Sequence, residues 1–287
     1  MEKNQRYVLS CVDGSTYTEA VCDYANWIAK TVQAPLKLLH TIDHSDAPAV
    51  VDYSGAIGLG ASQELLEELT EAEKNHSRLL IKKGNLMLQA VKQKALDAGV
   101  EEVELRQKHG SLAEALIDME AQIRVLVVGI RGEEHADEKT GLGTQLESTI
   151  RSLHKPILVV NKTFTQPRKI MLAYNGSAAA NKALQMVASS PLFTGMPCHV
   201  VYVSDDEQLA ESVLNDAVNQ LKTAGVDASS VRLEGQIEQA LSDYQAQENI
   251  DLTLMGAFSH SRVRDFLMGS FTAKMLAMTS KPLLLLR

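Results

Sequence analysis

Short apolar runs alternate with longer stretches of helical periodicity along the chain, and this pattern predicts strands that alternate with helices. In the first half, strands are predicted at residues 7–12, 36–42, 103–106, 125–128 and 157–160. Helices are predicted at residues 17–31, 63–98, 111–120 and 144–153. A repeated order of strand, helix and strand favours a parallel sheet with helices on both faces.

The same order starts again after a polar segment at residues 161–168. The second set of strands is predicted at residues 169–174, 198–203, 231–233 and 252–255 and in the apolar run after Pro282. Helices are predicted at residues 178–189, 207–224 and 237–247 and from Gly269 onwards. The sequence therefore predicts two units of similar architecture, residues 1–162 and residues 163–287, joined at the polar segment.

Two short motifs recur in both units, which indicates an internal repeat. The first strand leads into Asp-Gly-Ser at residues 13–15 and into Asn-Gly-Ser at residues 175–177. The glycine that opens the last helix, Gly143 or Gly269, stands 12 residues before a Lys-Pro pair in both units. The first unit is 36 residues longer between these motifs, mostly in residues 43–62 and the long second helix. We expect the 43–62 loop to be mobile or to face a partner, because it lacks periodicity and a counterpart.

Near the C-terminus, a strand, a glycine-containing loop and a helix start follow one another. Gly256 is expected at the end of a buried strand, and Gly269 and Ser270 open the next helix. Free backbone N–H groups and the positive end of the helix dipole converge in such a place, so it suits a phosphate group. Glycines at such turns also serve the turn alone, so the residues by themselves leave both interpretations open.

The composition narrows the class of protein. A hydrophobic fraction of 45% and a charged fraction of 22% are typical of a globular protein. The net charge of −8 argues against a nucleic acid or an anionic membrane as the main partner. No apolar run approaches the roughly 20 residues of a membrane span, so we expect a cytoplasmic protein. Cys11, Cys22 and Cys198 have no metal-ligand spacing and are interpreted as buried thiols.

The repeated motifs resemble those of the universal stress protein family in its tandem form, over nearly the whole chain. Gly256-x2-Ser259-x9-Gly269-Ser270 is similar to the ATP-binding pattern of that family, G-x2-G-x9-G-S/T. The resemblance implies an α/β fold of two tandem five-stranded parallel-sheet units, Rossmann-like and of the adenine nucleotide alpha hydrolase-like class. It also implies that the units pack as an intramolecular pseudo-dimer, with the final strands as the candidate contact. A homodimer of the whole chain stays open.

The resemblance implies an adenine nucleotide site in each unit, with ATP and Mg²⁺ as the candidate ligand. The residues implied in the second unit are Asn175, Val203, Gly256, Ser259, His260, Arg262, Gly269, Ser270, Phe271 and Thr272. Those implied in the first unit are Val12, Asp13, Thr41, Gly129, Arg131, Gly132, Gly143 and Thr144.

Each unit departs from the family pattern. In the second, Asn175 stands in place of the acidic residue and Ser259 in place of the second glycine. In the first, the glycine loop is one residue longer and carries four carboxylates between residues 133 and 138. Those carboxylates would repel a triphosphate unless Mg²⁺ or Lys139 intervened. The second loop instead supplies His260, Arg262 and Arg264, which suit phosphate. We therefore favour the second unit as the nucleotide site.

Three functions remain open on the sequence. The leading one is a cytoplasmic stress-response protein that binds an adenine nucleotide and acts through an unidentified protein partner. The second is a scaffold whose nucleotide sites have decayed, with the 43–62 loop and the long helix as its binding surface. The third, a slow ATPase or autokinase, is less favoured because the chain has no Walker-A lysine and no clear general base near the loop. No catalytic residue and no metal site are assigned.

Overall fold

The computed structural model describes residues 6–42, 59–131, 144–257 and 270–286, except for the side chains of residues 59–67, 69, 144, 145 and 270. Strands and helices alternate throughout. The strands are β1 Tyr7–Cys11, β2 Leu36–Ile42, β3 Val103–His109, β4 Ile123–Gly129, β5 Ile157–Val160, β6 Ile170–Ala173, β7 Cys198–Val203, β8 Ala228–Leu233, β9 Leu252–Gly256 and β10 Leu283–Leu286. The helices are α1 Thr18–Thr31, α2 Leu59–Asp97, α3 Leu112–Met119, α4 Thr144–Ser152, α5 Ala178–Ser189, α6 Glu207–Thr223, α7 Ile237–Gln247 and α8 Ser270–Met278.

All ten strands join one sheet, in the order β3-β2-β1-β4-β5-β10-β9-β6-β7-β8. Neighbouring strands are parallel within each set of five, and β5 pairs with β10 in antiparallel orientation. Each unit therefore keeps its own parallel sheet, and the two final strands form the seam between them. The predicted fold class, two five-stranded parallel units packed as a pseudo-dimer, is confirmed.

The two units repeat the strand register residue by residue. In the first unit Val8 of β1 lies opposite Leu36 of β2, and in the second Ile170 of β6 lies opposite Cys198 of β7. Both pairs are 28 residues apart along the chain (36 − 8 and 198 − 170). The repeat seen in the sequence therefore extends to the backbone pairing of the sheet.

Two layers of helices cover the sheet. Apolar residues of α1, α2, α5 and α6 pack on one face, and those of α3, α4, α7 and α8 pack on the other. The central strands are buried on both faces, which explains why they are continuous apolar runs such as Leu283–Leu286. The three cysteines are free and buried as predicted, and burial raises the pKa of Cys22 and of Cys198 to about 12.

Helix α2 differs most from the sequence prediction. It starts at Leu59, so the predicted end of the loop at residue 62 is wrong, and residues 43–58 lie outside the described ranges. The helix continues without interruption past Gly84. A Cβ at Gly84 would lie 2.2 Å from Gln107 Nε2 and 2.3 Å from His40 Cδ2. The glycine therefore allows α2 to approach β2 and β3 closely, which is a packing role and not a hinge.

The linker that connects the two units is held by hydrogen bonds to each of them. The Asn161 amide Nδ2 donates to the carbonyl oxygens of Thr279 (2.8 Å) and Lys281 (3.0 Å). The hydroxyl of Tyr24 on α1 donates to the Thr165 carbonyl oxygen at 3.2 Å. These contacts hold the linker against the residues that precede β10 and against α1. Within the described ranges, no helix is long and apolar enough to cross a membrane.

Candidate functional site

The second unit has a cavity at the carboxyl ends of its central strands. Its volume is about 470 Å³, and it lies where β6, β7 and β9 end. The chain leaves β6 towards β7, whereas β9 flanks β6 on the other side. The strand order therefore reverses between β6 and β9, and such a switch point is where open α/β sheets form a ligand crevice.

Mostly apolar side chains line this cavity, together with a few polar groups. The lining residues are Ala173, Tyr174, Asn175, Ser177, Ala180, Val201, Tyr202, Val203, Ile237, Glu238, Leu241, Met255, Gly256 and Phe271. A pocket of several hundred cubic ångströms with apolar walls and few polar groups is typical of a small-molecule site. An apolar wall suits a flat aromatic base, and the polar groups can fix its orientation.

The polar groups of the cavity already have partners within the protein. The Tyr174 hydroxyl donates to Asn181 Oδ1 at 2.6 Å, and burial raises the pKa of Tyr174, so it remains a neutral phenol. The Ser177 backbone N–H donates to Asn175 Oδ1 at 3.1 Å. Glu238 Oε1 lies 3.3 Å from Lys274 Nζ, and the glutamate side chain is only 16% exposed. Glu238 is thus a carboxylate acceptor held at the cavity wall beside a cation.

Three helices begin at the cavity. Ser177 caps α5, because its hydroxyl accepts from the Ala180 backbone N–H at 3.2 Å. Helix α7 has no side-chain cap, and its first residues, Ile237 and Glu238, line the cavity. Helix α8 begins at Ser270, and its next residue, Phe271, also lines the cavity. Uncapped N–H groups at helix starts are available to an anionic or hydrogen-bonding ligand.

Gly256 lets helix α5 approach the end of β9. A Cβ at this glycine would lie 2.7 Å from Ala179 Cβ, 2.8 Å from the Ala179 carbonyl carbon and 2.9 Å from the Ala180 nitrogen. Two of these three atoms are backbone atoms, which a side-chain rotation cannot move. The absence of a side chain at Gly256 therefore sets the position of the α5 N-terminus against the cavity.

The first unit places a tyrosine where the second has an alanine. Its equivalent of Gly256 is Gly129, and a Cβ there would lie 3.0 Å from Tyr17 Cβ and 3.5 Å from Tyr17 Cγ. Tyr17 stands immediately before α1, and its counterpart Ala179 is the second residue of α5. Tyr17 packs against the hydrophobic clusters on both faces of the sheet. Tyr17 thus places a large side chain beside the strand-end glycine, where the second unit has the small Ala179.

Other groups of the first unit are also engaged internally. His40 Nδ1 donates to the Val12 carbonyl oxygen at 2.8 Å. Asp13 Oδ1 accepts from the Ser15 backbone N–H (3.0 Å) and the Thr18 hydroxyl (2.9 Å). Helix α3 carries a complete capping box at its N-terminus, whereas its counterpart α7 carries no side-chain cap. The first unit therefore caps the start of its third helix with a side chain, whereas the second unit has no side-chain cap at the start of α7.

The structure brings together part of the predicted site. In the second unit Asn175, Val203, Gly256 and Phe271 line the cavity, Ser270 begins α8, and Thr272 is buried at 2% exposure. Ser259, His260, Arg262 and Gly269 lie outside the described residues. In the first unit Val12, Asp13, Thr41, Gly129 and Arg131 lie at or beyond the strand ends, and Thr144 begins α4. Gly132 and Gly143 lie outside the described residues.

Sequence reasoning missed the contribution of helix α7. Ile237, Glu238 and Leu241 line the cavity, although no motif marks them. A signal was available in the order of elements, because the helix after the third strand of a parallel sheet starts at the same edge as the glycine loop. Within the described residues, no group of three or more His, Cys, Asp or Glu side chains is placed to hold a metal ion.

Comparison with known proteins decides the family. The family model described as "Universal stress protein family" matches residues 5–161 and again residues 167–287. The chain belongs to the universal stress protein family. Universal stress protein Slr1230 of Synechocystis sp. (strain ATCC 27184 / PCC 6803 / Kazusa) is 38% identical to it over 284 residues, which cover 98% of this chain and 99% of the relative. The family predicted from the motifs is thus confirmed for both units of this universal stress protein.

Solved structures share the fold of this universal stress protein. A universal stress protein from Archaeoglobus fulgidus DSM 4304 superposes with a TM-score of 0.74 at 17% identity, covering 100% of this chain and 99% of that chain. A putative universal stress protein from Pseudomonas aeruginosa UCBPP-PA14 superposes with a TM-score of 0.61 at 17% identity, covering 98% of this chain and 93% of that chain. At this level of identity the likeness establishes the fold of both units.

Proposed function

We propose that this universal stress protein binds an adenine nucleotide in the cavity of its second unit and acts in the stress response through a protein partner. The observation that carries the proposal is the cavity of about 470 Å³ at the switch point of β6 and β9. Its volume lies within the range of ligand pockets, roughly 300–1,000 Å³.

The groups around the cavity fit the parts of an adenine nucleotide. The apolar wall that includes Val203 and Phe271 suits the base, and the Glu238 carboxylate can accept hydrogen bonds from an exocyclic amine or a ribose hydroxyl. The starts of α7 and α8 supply backbone N–H groups and the positive ends of two helix dipoles. His260 and Arg262, proposed to contact phosphate, precede α8 in the sequence.

The first unit is proposed to be the poorer site, because Tyr17 packs against Gly129 at its switch point. We therefore expect one nucleotide per chain. Exchanging the sizes of the side chains at residues 17 and 179 tests this expectation without changing a polar group that is proposed to bind the ligand. Ala179→Tyr copies the first unit into the second, and Tyr17→Ala does the reverse.

The experiment is a calorimetric titration of the full chain with ATP and Mg²⁺, with circular dichroism as a check of folding. The wild type should bind one nucleotide, Ala179→Tyr should lose at least about tenfold in affinity, and Tyr17→Ala should retain the wild-type affinity. Binding that disappears in Tyr17→Ala and persists in Ala179→Tyr would assign the site to the first unit. A wild type that binds no ATP at millimolar concentration would contradict nucleotide binding.

One observation favours the second candidate function, a scaffold without nucleotide. Helix α2 has 39 residues, whereas its counterpart α6 has 17, and the described side chains of residues 70–76 are all exposed. The N-terminal part of α2 therefore extends beyond the sheet that it covers and offers a surface to a partner. If the wild type binds no nucleotide, this helix becomes the main functional surface.

A further inference from the structure

Helix α2 carries two apolar stripes on opposite sides. One stripe faces the sheet and consists of Gly84, Leu88, Val91 and Ala95, all of which are buried. The other faces solvent: Ala72, Leu79 and Leu86 are exposed, Leu79 at 66% and Leu86 at 63%. At 100° per residue, Leu79 lies about 180° around the helix from Leu88. The outer stripe therefore packs against none of the residues that the structure describes.

The outer stripe recurs every seven residues, which is the spacing of helix pairing. Ala72, Leu79 and Leu86 follow one another at intervals of seven, and the sequence continues the spacing backwards at Leu65. A seven-residue repeat keeps apolar side chains along one side of a helix when two helices wind around each other. The stripe thus has the periodicity expected for contact with another helix.

Charge is segregated along the same helix. Between residues 64 and 73 the charged residues are five glutamates, and between residues 74 and 96 they are six lysines and arginines with no acidic residue. The helix dipole favours acidic residues only in the first turn, so it does not explain a change of sign near the middle of the helix. The segregation needs another explanation.

Within a single α2 helix this arrangement is unfavourable. Residues four apart face each other on a helix, and here they carry like charges, as in Lys74 and Arg78 or Arg78 and Lys82. Glu71 and Glu73 are exposed, and in the part of the chain that the structure describes no ion pair involves either of them or Arg78. A partner surface with the opposite order of charges would relieve the repulsion.

We infer that α2 pairs with α2 of a second copy of this chain, antiparallel, along the Ala72–Leu79–Leu86 stripe. Antiparallel pairing centred between Ala72 and Leu79 brings the acidic part of each helix against the basic part of the other. It places Ala72 of one copy opposite Leu79 of its partner and brings Glu71 to the same side of the helix pair as the partner's Arg78. Parallel pairing would instead set glutamates against glutamates, so the charge order selects the antiparallel arrangement.

The first test measures self-association of the full chain by sedimentation equilibrium up to roughly 100 µM, a range that detects micromolar association. The wild type should approach twice the monomer mass. Leu79→Ser/Leu86→Ser should weaken association by about tenfold or more, because it removes the apolar contact at exposed positions. The matched control, Ile117→Ser/Leu209→Ser, changes residues of α3 and α6 that are 54% and 49% exposed, and it should associate like the wild type. A wild type that remains monomeric overturns the inference.

The second test separates charge pairing from helix stability. Arg78→Glu should weaken association, because residue 78 lies beside Glu71 of the partner subunit, although the change relieves repulsion from Lys74 and Lys82 within its own helix. Adding Glu71→Arg to Arg78→Glu exchanges the two charges and should restore association. Failure of the double variant to recover would contradict the proposed pairing. Helix content measured by circular dichroism should not fall in either variant.

The third test determines orientation by oxidation of single cysteine variants, since the native cysteines are buried. Asn75→Cys lies near the proposed two-fold axis and should form a disulfide-linked dimer. Lys82→Cys should not, because antiparallel pairing separates the two copies of residue 82 by about 20 Å, and a disulfide needs Cα atoms within about 7 Å. Rapid cross-linking of Lys82→Cys would establish parallel pairing and overturn the antiparallel arrangement.

Discussion

Replacing Gly256 by alanine should destabilise this universal stress protein, because the added methyl group would lie too close to atoms of α5. The new methyl carbon would lie 2.7 Å from Ala179 Cβ and 2.8 and 2.9 Å from two backbone atoms of α5. Carbon atoms pack best at about 3.5–4.0 Å, so the start of α5 has to move away from β9 by about 1 Å. Overpacking of this kind costs about 1–3 kcal/mol, and we expect the upper part of that range because backbone atoms are involved.

The matched control is Gly129→Ala, at the equivalent position of the first unit. Its methyl carbon would lie 3.0 Å from Tyr17 Cβ and 3.1 Å from the Arg131 carbonyl oxygen, so a smaller displacement suffices. Urea unfolding of both variants should give a larger loss of free energy of unfolding for Gly256→Ala, by about 1 kcal/mol. Equal losses, or a larger one for Gly129→Ala, would refute the argument from these distances.

Two further predictions concern stability. Thr279→Val should cost about 1–3 kcal/mol, because the buried Gln245 Oε1, 2.9 Å from the Thr279 hydroxyl, loses its donor; Thr279→Ser keeps the hydroxyl and should cost less in the same unfolding assay. His199 should make stability depend on pH, because burial and the nearby Lys169 charge lower its pKa. The folded chain then binds this proton less tightly than the unfolded chain, so stability falls as the pH drops from about 6.5 towards the lower folded pKa. His199→Gln should remove that part of the pH dependence, and an unchanged slope in urea unfolding between pH 5 and 7, a range set by the ~6.5 reference value, would contradict it.

Much of the fold could be predicted from the sequence, because buried parallel strands and the helices between them leave different apolar patterns. The bounds of β2, β7, α5 and α7 agree with the prediction. Strand β8 begins at Ala228, although only residues 231–233 were predicted, because its exposed serines resemble a turn. The contact between β5 and β10 could be named from the sequence only as a candidate, since neither apolar run carries a signal for the strand with which it pairs.

The candidate site could be predicted only in part, since a cavity depends on side chains from several separate elements. Asn175 and Gly256, named from the repeated motifs and the family resemblance, both line the cavity, because turn residues at strand ends carry a local signal. Glu238 was missed because its role depends on where α7 begins relative to β6 and not on any neighbour in the sequence. The position of Tyr17 beside Gly129 could not be predicted either, because it depends on how closely α1 approaches the end of β4.

The antiparallel seam between β5 and β10 affects how far the sequences of the two units can diverge. In a symmetric dimer of identical chains every substitution appears twice, so an alteration that suits one site is imposed on the other. Here the two halves of the seam are encoded separately and remain together at any dilution, because one polypeptide contains both. Each half is therefore free to diverge while the other retains its role, and the two halves already differ at Tyr17 and Ala179.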